Sequence, residues 1–274
     1  MMAPPMACDS HFHIMDARFP GASKTPGTEP PPHCTLNDYR LLQQRLGTTR
    51  AVPVQPKYHG TDHHCILDAL RQLGTNARGI GVVLPDVSDG ELRRLHEGGI
   101  RGLRFSVWSL RGTVTTIDMI EPLANRIAAM GWHAQLHMSG EQIAENAAML
   151  RRLPCGLVFD HMGRLPPQAG PAHPAFRLIA DLIGKGNTWV KLAGAYLNTL
   201  QGPPRYDDAT QIAKAFVHLA PERLVWGSDW PHDTEKNKPD DALLFDLLGE
   251  WAGSNGIRKR ILVDNPARLY GFSA

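Results

Sequence analysis

Short apolar runs alternate with longer amphipathic stretches along most of the chain. Eight apolar runs predict strands at residues 6–13, 51–55, 79–84, 102–106, 132–137, 156–161, 189–193 and 224–229. The stretches between them repeat apolar residues at the spacing of an amphipathic helix. Examples are residues 36–46, 66–73, 117–130, 143–153 and 212–219. The pattern therefore predicts an ordered alternation of strands and helices.

Residues that start and stop helices support this division. Side chains that cap helix N-termini precede three of the helical stretches: Thr35, Ser139 and Asp207-Asp208. Glycines that favour helix ends follow three of them: Gly47, Gly74 and Gly131. The boundaries of the predicted helices are therefore marked by residue types that suit them.

Strict alternation of strand and helix predicts parallel strands with helices packed outside them. Eight strands in 274 residues give about 34 residues per unit, close to the roughly 30 residues of one strand–helix crossover. A doubly wound open sheet is the rival, but it usually carries a Gly-rich turn after its first strand. Here the first strand ends in His11-Phe12-His13 instead. The α/β pattern therefore predicts a (β/α)₈ barrel.

The composition shows no shift along the chain, so residues 1–274 are predicted to form a single domain. Pro- and Gly-rich stretches predict long loops at residues 19–33, 165–174 and 200–205.

Charge and cysteine content exclude several classes of protein. Lys and Arg number 29 and Asp and Glu number 27, for a net charge of +2, whereas a nucleic-acid binder usually has a strongly basic surface. No apolar run approaches the roughly 18 residues of a membrane span. The four cysteines are dispersed along the chain, as is typical of thiols in a reducing compartment. We expect a soluble cytoplasmic protein that binds neither nucleic acid nor membrane.

Histidines and one aspartate stand at the ends of predicted strands. His11 and His13 end the first strand, His137 the fifth, His161 the sixth and Asp229 the eighth. In a barrel, the carboxyl ends of all strands meet at one face, where catalytic residues are found. The sequence therefore predicts that these five side chains meet in one site.

Such a set of side chains suits two kinds of chemistry. Neutral imidazoles and a carboxylate are ligands that Zn²⁺ prefers, and His11, His13, His137 and Asp229 form a candidate set for one divalent ion. Without a metal ion, the histidines could polarise a carbonyl group while Asp229 acts as the general base on water. Both alternatives hydrolyse a carbonyl compound, and the sequence leaves open whether a metal ion is required.

Cationic residues follow several of the same strands and predict an anionic substrate, because guanidinium groups bind carboxylates through paired hydrogen bonds. These residues are Lys57, Arg104, Arg111, Arg164, Lys191 and Arg205. Arg104 interrupts an apolar strand and needs a partner if it is buried. Three further side chains lie after strands two and seven, where they could contact substrate: Tyr58, His59 and Tyr196.

Three motifs resemble the amidohydrolase superfamily. They are His11-Phe-His13, Asp160-His-Met-Gly163 within the sixth strand region, and Trp226-Gly-Ser-Asp-Trp-Pro-His232 in the eighth. The likeness runs nearly from end to end and is strongest to the branch of 2-pyrone-4,6-dicarboxylate lactonase. That branch includes sugar lactonases, sulfomuconolactone hydrolase and galactarolactone isomerase.

The resemblance implies a distorted barrel and lactone chemistry. It implies that Asp229 is the base for water, that His11, His13 and His161 polarise the lactone carbonyl, and that Arg104 binds a substrate carboxylate. Arg111 falls close to a second arginine of the pattern.

This chain departs from the pattern at the fifth strand, where His137 replaces a tyrosine and adds a candidate metal ligand. Asp229 favours hydrolysis, because the isomerase branch resembles an asparagine-bearing site. Arg104 stands where binuclear members have a bridging lysine or glutamate, so we expect no two-metal site.

The sequence as a whole predicts a hydrolase that opens a small anionic lactone. A lactone isomerase, a metal-dependent decarboxylase of the same superfamily and a non-catalytic anion-binding barrel are the alternatives. One Zn²⁺ is the expected cofactor if a metal ion is present, and a homo-oligomer is among the assembly states that the sequence allows.

Overall fold

Parallel strands form the centre of the structure, a computed structural model that describes residues 2–19, 21, 33–109 and 111–273. The strands in the described part of the chain are β1 (Cys8–Phe12), β2 (Arg50–Pro53), β3 (Gly79–Gly81), β4 (Ile100–Ser106), β5 (His133–His137), β6 (Gly156–Phe159), β7 (Thr188–Leu192) and β8 (Leu224–Trp226). Strands β3 to β8 pair in chain order as one curled parallel sheet, and β1 pairs with β2. The α/β class and the parallel strand order are confirmed.

Single β-bridges connect the two sheets on both sides. Phe12 pairs with Trp230 beyond β8, and Val54 pairs with Ile80 of β3. The strand pair β1–β2 therefore lies between β8 and β3.

Helices and short helical turns connect successive strands. The helices of the described residues are α1 (Leu36–Leu46), α2 (His64–Leu73), α3 (Asp89–Glu97), α4 (Ile120–Ala128), α5 (Gly140–Glu145), α6 (Ala147–Arg152), α7 (Pro174–Gly184), α8 (Asp207–Leu219), α9 (Asp241–Ala252), α10 (Asn255–Lys259) and α11 (Asn265–Tyr270). A π-helical turn, Arg260–Asp264, joins α10 to α11. Their buried apolar faces pack against the sheet and form one large core.

Two of the predicted helix starts are confirmed in atomic detail. Thr35 caps α1 and forms a reciprocal capping box with Asp38, and Ser139 does the same for α5 with Gln142. Asp207 and Asp208 instead lie inside the first turn of α8, where carboxylates are favoured by the helix dipole. The predicted stretch 143–153 is two helices, because the chain breaks at Asn146.

Strands β6 and β8 end earlier than the apolar pattern predicts. Positive φ values of 51° at His161 and 62° at Asp229 turn the backbone out of the extended conformation. Both residues therefore lie in turns beyond the strand ends, and this raises their side chains over the carboxyl end of the sheet.

Most of the predicted loop 19–33 lies outside the described residues. No helix in the described part of the chain has the length and hydrophobicity of a membrane span.

Candidate active site

The carboxyl end of β1 and the turn after β8 are joined by backbone hydrogen bonds. The amide of Asp229 donates to the carbonyl of His11 at 2.8 Å, and the amide of His13 donates to the carbonyl of Trp230 at 2.8 Å. Asp9 of β1 strengthens this junction by accepting from the Ser228 amide at 2.9 Å and from its hydroxyl at 2.7 Å. These bonds fix the position of Asp229 relative to the two histidines of β1.

Three imidazoles converge on one carboxylate oxygen. The Nε2 atoms of His11, His13 and His161 lie 3.5, 3.7 and 3.9 Å from Oδ1 of Asp229. All four residues are buried, and Asp229 itself is only 7% exposed. The structure thus brings together the four residues that the sequence analysis selected as catalytic.

The tautomer of His13 follows from its second ring nitrogen. Nδ1 of His13 lies 2.8 Å from the carbonyl oxygen of Val54, and a carbonyl oxygen can only accept a hydrogen bond. Nδ1 therefore carries the proton, and the lone pair of Nε2 points toward Asp229.

His11 has two competing neighbours at the same distance from Nδ1. The ammonium of Lys191, a donor, lies 3.3 Å away, and Oδ1 of Asp160, an acceptor without another hydrogen-bond partner among the described residues, also lies 3.3 Å away. Lys191 favours the tautomer with the proton on Nε2, and Asp160 favours the tautomer with a free Nε2 lone pair. Nε2 of His11 is buried and has no hydrogen-bond partner in the described structure.

These donor atoms fit a divalent metal ion. His11, His13 and Asp229 form one metal-capable group among the described residues, and His11, Asp160 and His161 form another. The free lone pair of His13 and the unpartnered Nε2 of His11 suit Zn²⁺, and Asp160 stands where a carboxylate orients a metal-bound histidine. The site therefore has the chemistry of a one-metal site.

His137 is near this group but faces differently. Its ring lies 4.9 Å from that of His161, yet its Nδ1 accepts from Nη2 of Arg104 at 3.2 Å and lies 3.1 Å from the Ser106 hydroxyl. A neutral imidazole that accepts at Nδ1 carries its proton on Nε2. His137 is therefore not part of either metal-capable group, in contrast to the ligand set expected from the sequence.

A layer of buried charge lies beneath the histidines. Asp160 accepts from Nε of Arg104 and from the amide of Gln135, both at 3.1 Å, and lies 3.8 Å from Nζ of Lys191. Burial alone would raise the pKa of Asp160, but the charges of Lys191 and Arg104 outweigh it and lower the pKa to about 2. Asp160 is thus a permanent anion in the floor of the site.

Lys191 belongs to this floor and not to a substrate-facing surface. Its three ammonium protons are used by the Ser10 carbonyl at 2.8 Å, the Gln135 side-chain oxygen at 2.7 Å and Nδ1 of His11. Lys191 is completely buried, which corrects the substrate-binding role expected from the sequence. Its contacts instead hold the ring of His11.

A chain of hydrogen bonds supports Asp229 from the other side. The Tyr196 hydroxyl donates to Oδ2 of Asp229 at 2.6 Å, and Nδ1 of His232 lies 3.0 Å from the same hydroxyl oxygen. Nε2 of His232 lies 2.9 Å from Oδ1 of Asp241. Both ring nitrogens of His232 therefore have polar partners, the Tyr196 hydroxyl on one side and the Asp241 carboxylate on the other.

Burial shapes the ionisation of the cluster. It raises the pKa of Asp229 to about 6, against the opposing hydrogen bond from Tyr196. Burial lowers the pKa of His13 to about 4 and places the pKa values of His11 and His161 well below the usual range. At neutral pH the site therefore contains neutral histidines around a carboxylate that can still accept a proton.

Three of the predicted cations, Lys57, Arg104 and Arg111, lie in different surroundings. The ammonium of Lys57 donates to the carbonyls of Ser109 and Arg111 at 2.7 and 3.0 Å, and Lys57 lines a small pocket together with Arg104. The Arg111 side chain is exposed. Arg104 itself is 5% exposed and bound to Asp160 and His137. Of these three cations, Arg104 is anchored by its partners and the other two lie nearer the surface.

Arg164 is a cation that the sequence analysis named without placing it in the site. Its guanidinium carbon lies 3.7 Å from the ring centroid of Trp108, and Trp108 in turn stacks on His137 with 5.8 Å between centroids. Burial lowers the pKa of Arg164 to about 10, partly offset by the charge of Asp229. The position of Arg164 three residues after His161 was the one sequence signal that could have placed it in the site. The direction of its side chain depends on the positive φ of 45° at Arg164, which the sequence does not show.

Tyr58 and His59 follow β2 within the helical turn Lys57–His59. Their rings meet edge to face with 4.8 Å between centroids, and Tyr58 also packs close to Gly21. His59 is buried, whereas Tyr58 is partly exposed. Of the two, Tyr58 is the one with a surface that a ligand could reach.

Comparison with known proteins gives relatives over nearly the whole chain. A 4-sulfomuconolactone hydrolase from Rhizobium radiobacter is 35% identical and covers 98% of this chain and 91% of its own. A protein from Comamonas testosteroni named as a 2-pyrone-4,6-dicarboxylate hydrolase is 33% identical, with coverages of 97% and 90%. A D-galactarolactone isomerase from Agrobacterium fabrum is 28% identical, with coverages of 97% and 91%.

Solved structures share the fold. An apo structure from Agrobacterium tumefaciens has a TM-score of 0.89 with 28% identity and covers 99% of this chain and 98% of its own. A zinc-bound amidohydrolase from Burkholderia multivorans has a TM-score of 0.76 with 18% identity and covers 98% and 100%. The sequence family described as Amidohydrolase matches residues 8–272. On this match and on the relatives above 30% identity, the chain belongs to the amidohydrolase family.

Proposed function

We propose that this protein is a hydrolase that opens a small carboxylated lactone. The observation that carries the proposal is the convergence of three neutral imidazoles on Oδ1 of Asp229, with cationic side chains beside them. The relatives named as hydrolases of sulfomuconolactone and pyrone dicarboxylate support the substrate class.

Asp229 is the general base in this proposal. Tyr196 occupies its Oδ2, so Oδ1 is the oxygen that faces the histidines and receives a water proton. The other O–H of the same water donates a hydrogen bond to Nε2 of His13, whose lone pair points into the site. As one proton passes to Asp229, the water oxygen keeps its other hydrogen and forms a bond to the lactone carbonyl carbon.

His11 and His161 polarise the carbonyl group that the water attacks. The tautomer of His11 favoured by Lys191 places an N–H on Nε2, which stabilises negative charge as it develops on the carbonyl oxygen. The ring C–O bond then breaks, its electron pair goes to the ring oxygen, and that oxygen takes the proton held by Asp229. One lactone and one water give one hydroxy acid.

His232 is a positioning residue in this scheme. Its contacts to Tyr196 and Asp241 keep the Tyr196 hydroxyl directed at Asp229. The hydrogen bond from Tyr196, and to a smaller degree the charge of His232, lower the pKa of Asp229 against the effect of burial.

One divalent ion, with Zn²⁺ the best match, fits His11, His13 and Asp229. When bound, such an ion would supply Lewis acidity toward the carbonyl group or the attacking water. Asp160 would then hold the proton of His11 Nδ1 in place of the Lys191 contact.

The anionic group of the substrate is bound by Arg164 and the nearby Lys57 and Arg111. The Arg164 guanidinium has no hydrogen bond within the described residues, lies on Trp108 and is close enough to Asp229 to feel its charge. Arg104 is committed to Asp160 and His137. We therefore assign Arg104 mainly to orientation of the site and give Arg164 the larger share of carboxylate binding.

A lactone isomerase is the second candidate, supported by the relative of that name. In an isomerase, Asp229 would take its proton from a substrate hydroxyl instead of water, and no water would enter the product. The imidazoles around Asp229 offer both acceptor and donor nitrogens, which can bind a water molecule as well as a substrate hydroxyl. The hydrolase relatives also have higher sequence identity to this chain.

We also infer that the eight strands close into a distorted barrel within one domain. The bridges Phe12–Trp230 and Val54–Ile80 support closure, since they connect the strand pair to both edges of the six-stranded sheet. Among the described residues, Cys8, Cys65 and Cys155 are buried and not joined in disulfides, which supports a reducing compartment such as the cytoplasm.

A lactone panel tests the proposed function. The purified protein, with and without added Zn²⁺, is mixed with carboxylated lactones and with neutral analogues of the same ring size. We expect acid release and a product heavier than the carboxylated substrate by one water. A product of unchanged mass would establish isomerisation, and no turnover of any lactone in either condition would contradict both candidates.

A further inference from the structure

A second cavity opens at the amino end of the strands. It has a volume of about 320 Å³ and is lined by His133 and Gly156 at the starts of β5 and β6, and by Trp189, Arg223 and Arg268. His133 and His137 mark opposite ends of β5, which separates the cavity from the histidine cluster by about 13 Å of strand. The cavity is therefore distinct from the candidate active site.

Two guanidinium groups share one aromatic ring in this cavity. The guanidinium carbons of Arg223 and Arg268 lie 5.1 and 5.9 Å from the ring centroid of Trp189. Trp189 is only 4% exposed and packs against Val158 and Val225. The ring is a fixed surface that holds both cations close together.

Neither guanidinium has an ion pair or hydrogen bond among the described residues. Other arginines on the surface do, as Arg71 with Asp68 and Arg151 with Asp181 show. Burial lowers the pKa of Arg223, the like charge of Arg268 lowers it further, and the charge of Glu222 acts in the opposite direction. Two neighbouring cations against this one exposed carboxylate leave the cavity with a net positive charge.

The remaining walls offer both apolar and polar groups. Pro154 and Leu269 provide accessible apolar surface, whereas Trp132 is only 1% exposed. A volume of about 320 Å³ lies at the lower end of the range for small-molecule sites. Asn187 adds an exposed amide that can donate to an anion.

We propose that this cavity is a second binding site, for a small organic anion with at least one carboxylate. Arg223 and Arg268 bind the anionic group through paired hydrogen bonds, and Pro154 and Leu269 contact its apolar part. The site lies outside the catalytic machinery and does not depend on the lactonase proposal.

Calorimetric titration of the full chain tests this site. The probes are benzene-1,3-dicarboxylate and inorganic phosphate, each at constant ionic strength. The variant Arg223→Gln/Arg268→Gln removes both guanidinium groups, and Arg71→Gln/Arg151→Gln is the control with the same change in net charge. Arg164→Gln removes binding at the catalytic end.

We expect the dicarboxylate to bind the unaltered protein, the Arg71/Arg151 control and Arg164→Gln with similar affinity. The Arg223/Arg268 variant should bind it at least about tenfold more weakly. Phosphate binding with the same dependence on Arg223 and Arg268 would support the anion site and exclude the need for an organic body. Binding lost in Arg164→Gln but retained in the Arg223/Arg268 variant, or no binding of either probe, would overturn the proposal.

Discussion

The floor and the mouth of the candidate active site each contain one buried carboxyl group, and the two groups ionise in opposite ways. In the floor, Lys191 and Arg104 lower the pKa of Asp160 to about 2. In the mouth, burial with fewer compensating charges raises the pKa of Asp229 to about 6. The floor group is a permanent anion and the mouth group can exchange a proton near neutral pH.

This difference in pKa distinguishes a carboxylate that stabilises the structure from one that can exchange a proton. A carboxylate bound by two cations stabilises its neighbours but is a poor base, whereas a carboxylate that is harder to ionise accepts a proton readily. The histidines stand between the two groups, with His11 in contact with both Asp160 and Asp229. The same residue type therefore serves two roles, and the local charges decide which one.

The largest expected effect is a loss of turnover when Asp229, in the mouth of the site, is changed. Asp229→Asn keeps the shape of the side chain but removes the base, so kcat for a carboxylated lactone should fall by at least about 10²-fold. Steady-state kinetics measure this, with substrate binding to the variant as the control for an intact site. Near-normal kcat would remove Asp229 from the role of base.

The corresponding change in the floor should act on stability. Asp160→Asn leaves Arg104 and Lys191 buried without their counterion, which should lower the free energy of unfolding by about 3–5 kcal/mol. Urea unfolding measures the change, and Asp229→Asn is the matched control. That control should lose little or gain stability at neutral pH, because the native state disfavours the charged form of Asp229. Equal losses in the two variants would contradict the distinction between floor and mouth.

Stability should also depend on pH with opposite signs for the two groups. The folded pKa of Asp229 lies above its unfolded value near 4, so its contribution makes unfolding easier as pH rises from about 4 to about 6. The folded pKa of Asp160 lies below that value, so its contribution is present above about 4 and is lost as pH falls toward about 2. Urea unfolding across this pH range, with each Asn variant as the reference for its own residue, separates the contributions of Asp229 and Asp160 to stability. A slope that Asp229→Asn leaves unchanged between pH 4 and 6 would contradict the raised pKa.

A smaller effect is expected at the cations that surround the mouth. Arg164→Met should raise KM for a carboxylated lactone by roughly 10- to 100-fold, the effect of one charge-assisted interaction. Its neutral analogue should be affected much less. Arg205→Met is the matched control, since Arg205 is an exposed loop arginine paired with Asp207. Equal losses for both substrates would show that Arg164 is structural.

The sequence predicted the strands and the grouping of the candidate catalytic residues, because both depend on local order. Apolar runs located the strands, and parallel strands bring their carboxyl ends together, so His11, His13, His161 and Asp229 could be grouped without coordinates. The side-chain directions could not be predicted. Lys191 and Arg104 face Asp160, and His137 faces Arg104. These directions depend on which neighbouring strands carry opposite charges at the same height in the sheet.

His232 lies within one of the sequence motifs, but its hydrogen bonds could not be predicted for a similar reason. The hydrogen-bond chain from Asp229 to Asp241 runs through Tyr196, which is 33 residues away from Asp229 in the chain. The positive φ values at His161, Arg164 and Asp229 are equally invisible in an apolar pattern. The fold was therefore more predictable than the detailed orientation of the site.

The most direct test is an infrared titration of the two carboxyl groups in chelator-treated protein. Difference spectra between the unaltered protein and Asp229→Asn isolate the carboxyl stretch of Asp229, and the Asp160→Asn difference isolates that of Asp160. We predict that Asp229 becomes protonated near pH 6 and that Asp160 remains ionised down to about pH 2. Protonation of both groups over the same pH range, or of Asp229 at its ordinary value near 4, would contradict the assignment of Asp229 as the base and Asp160 as the fixed anion.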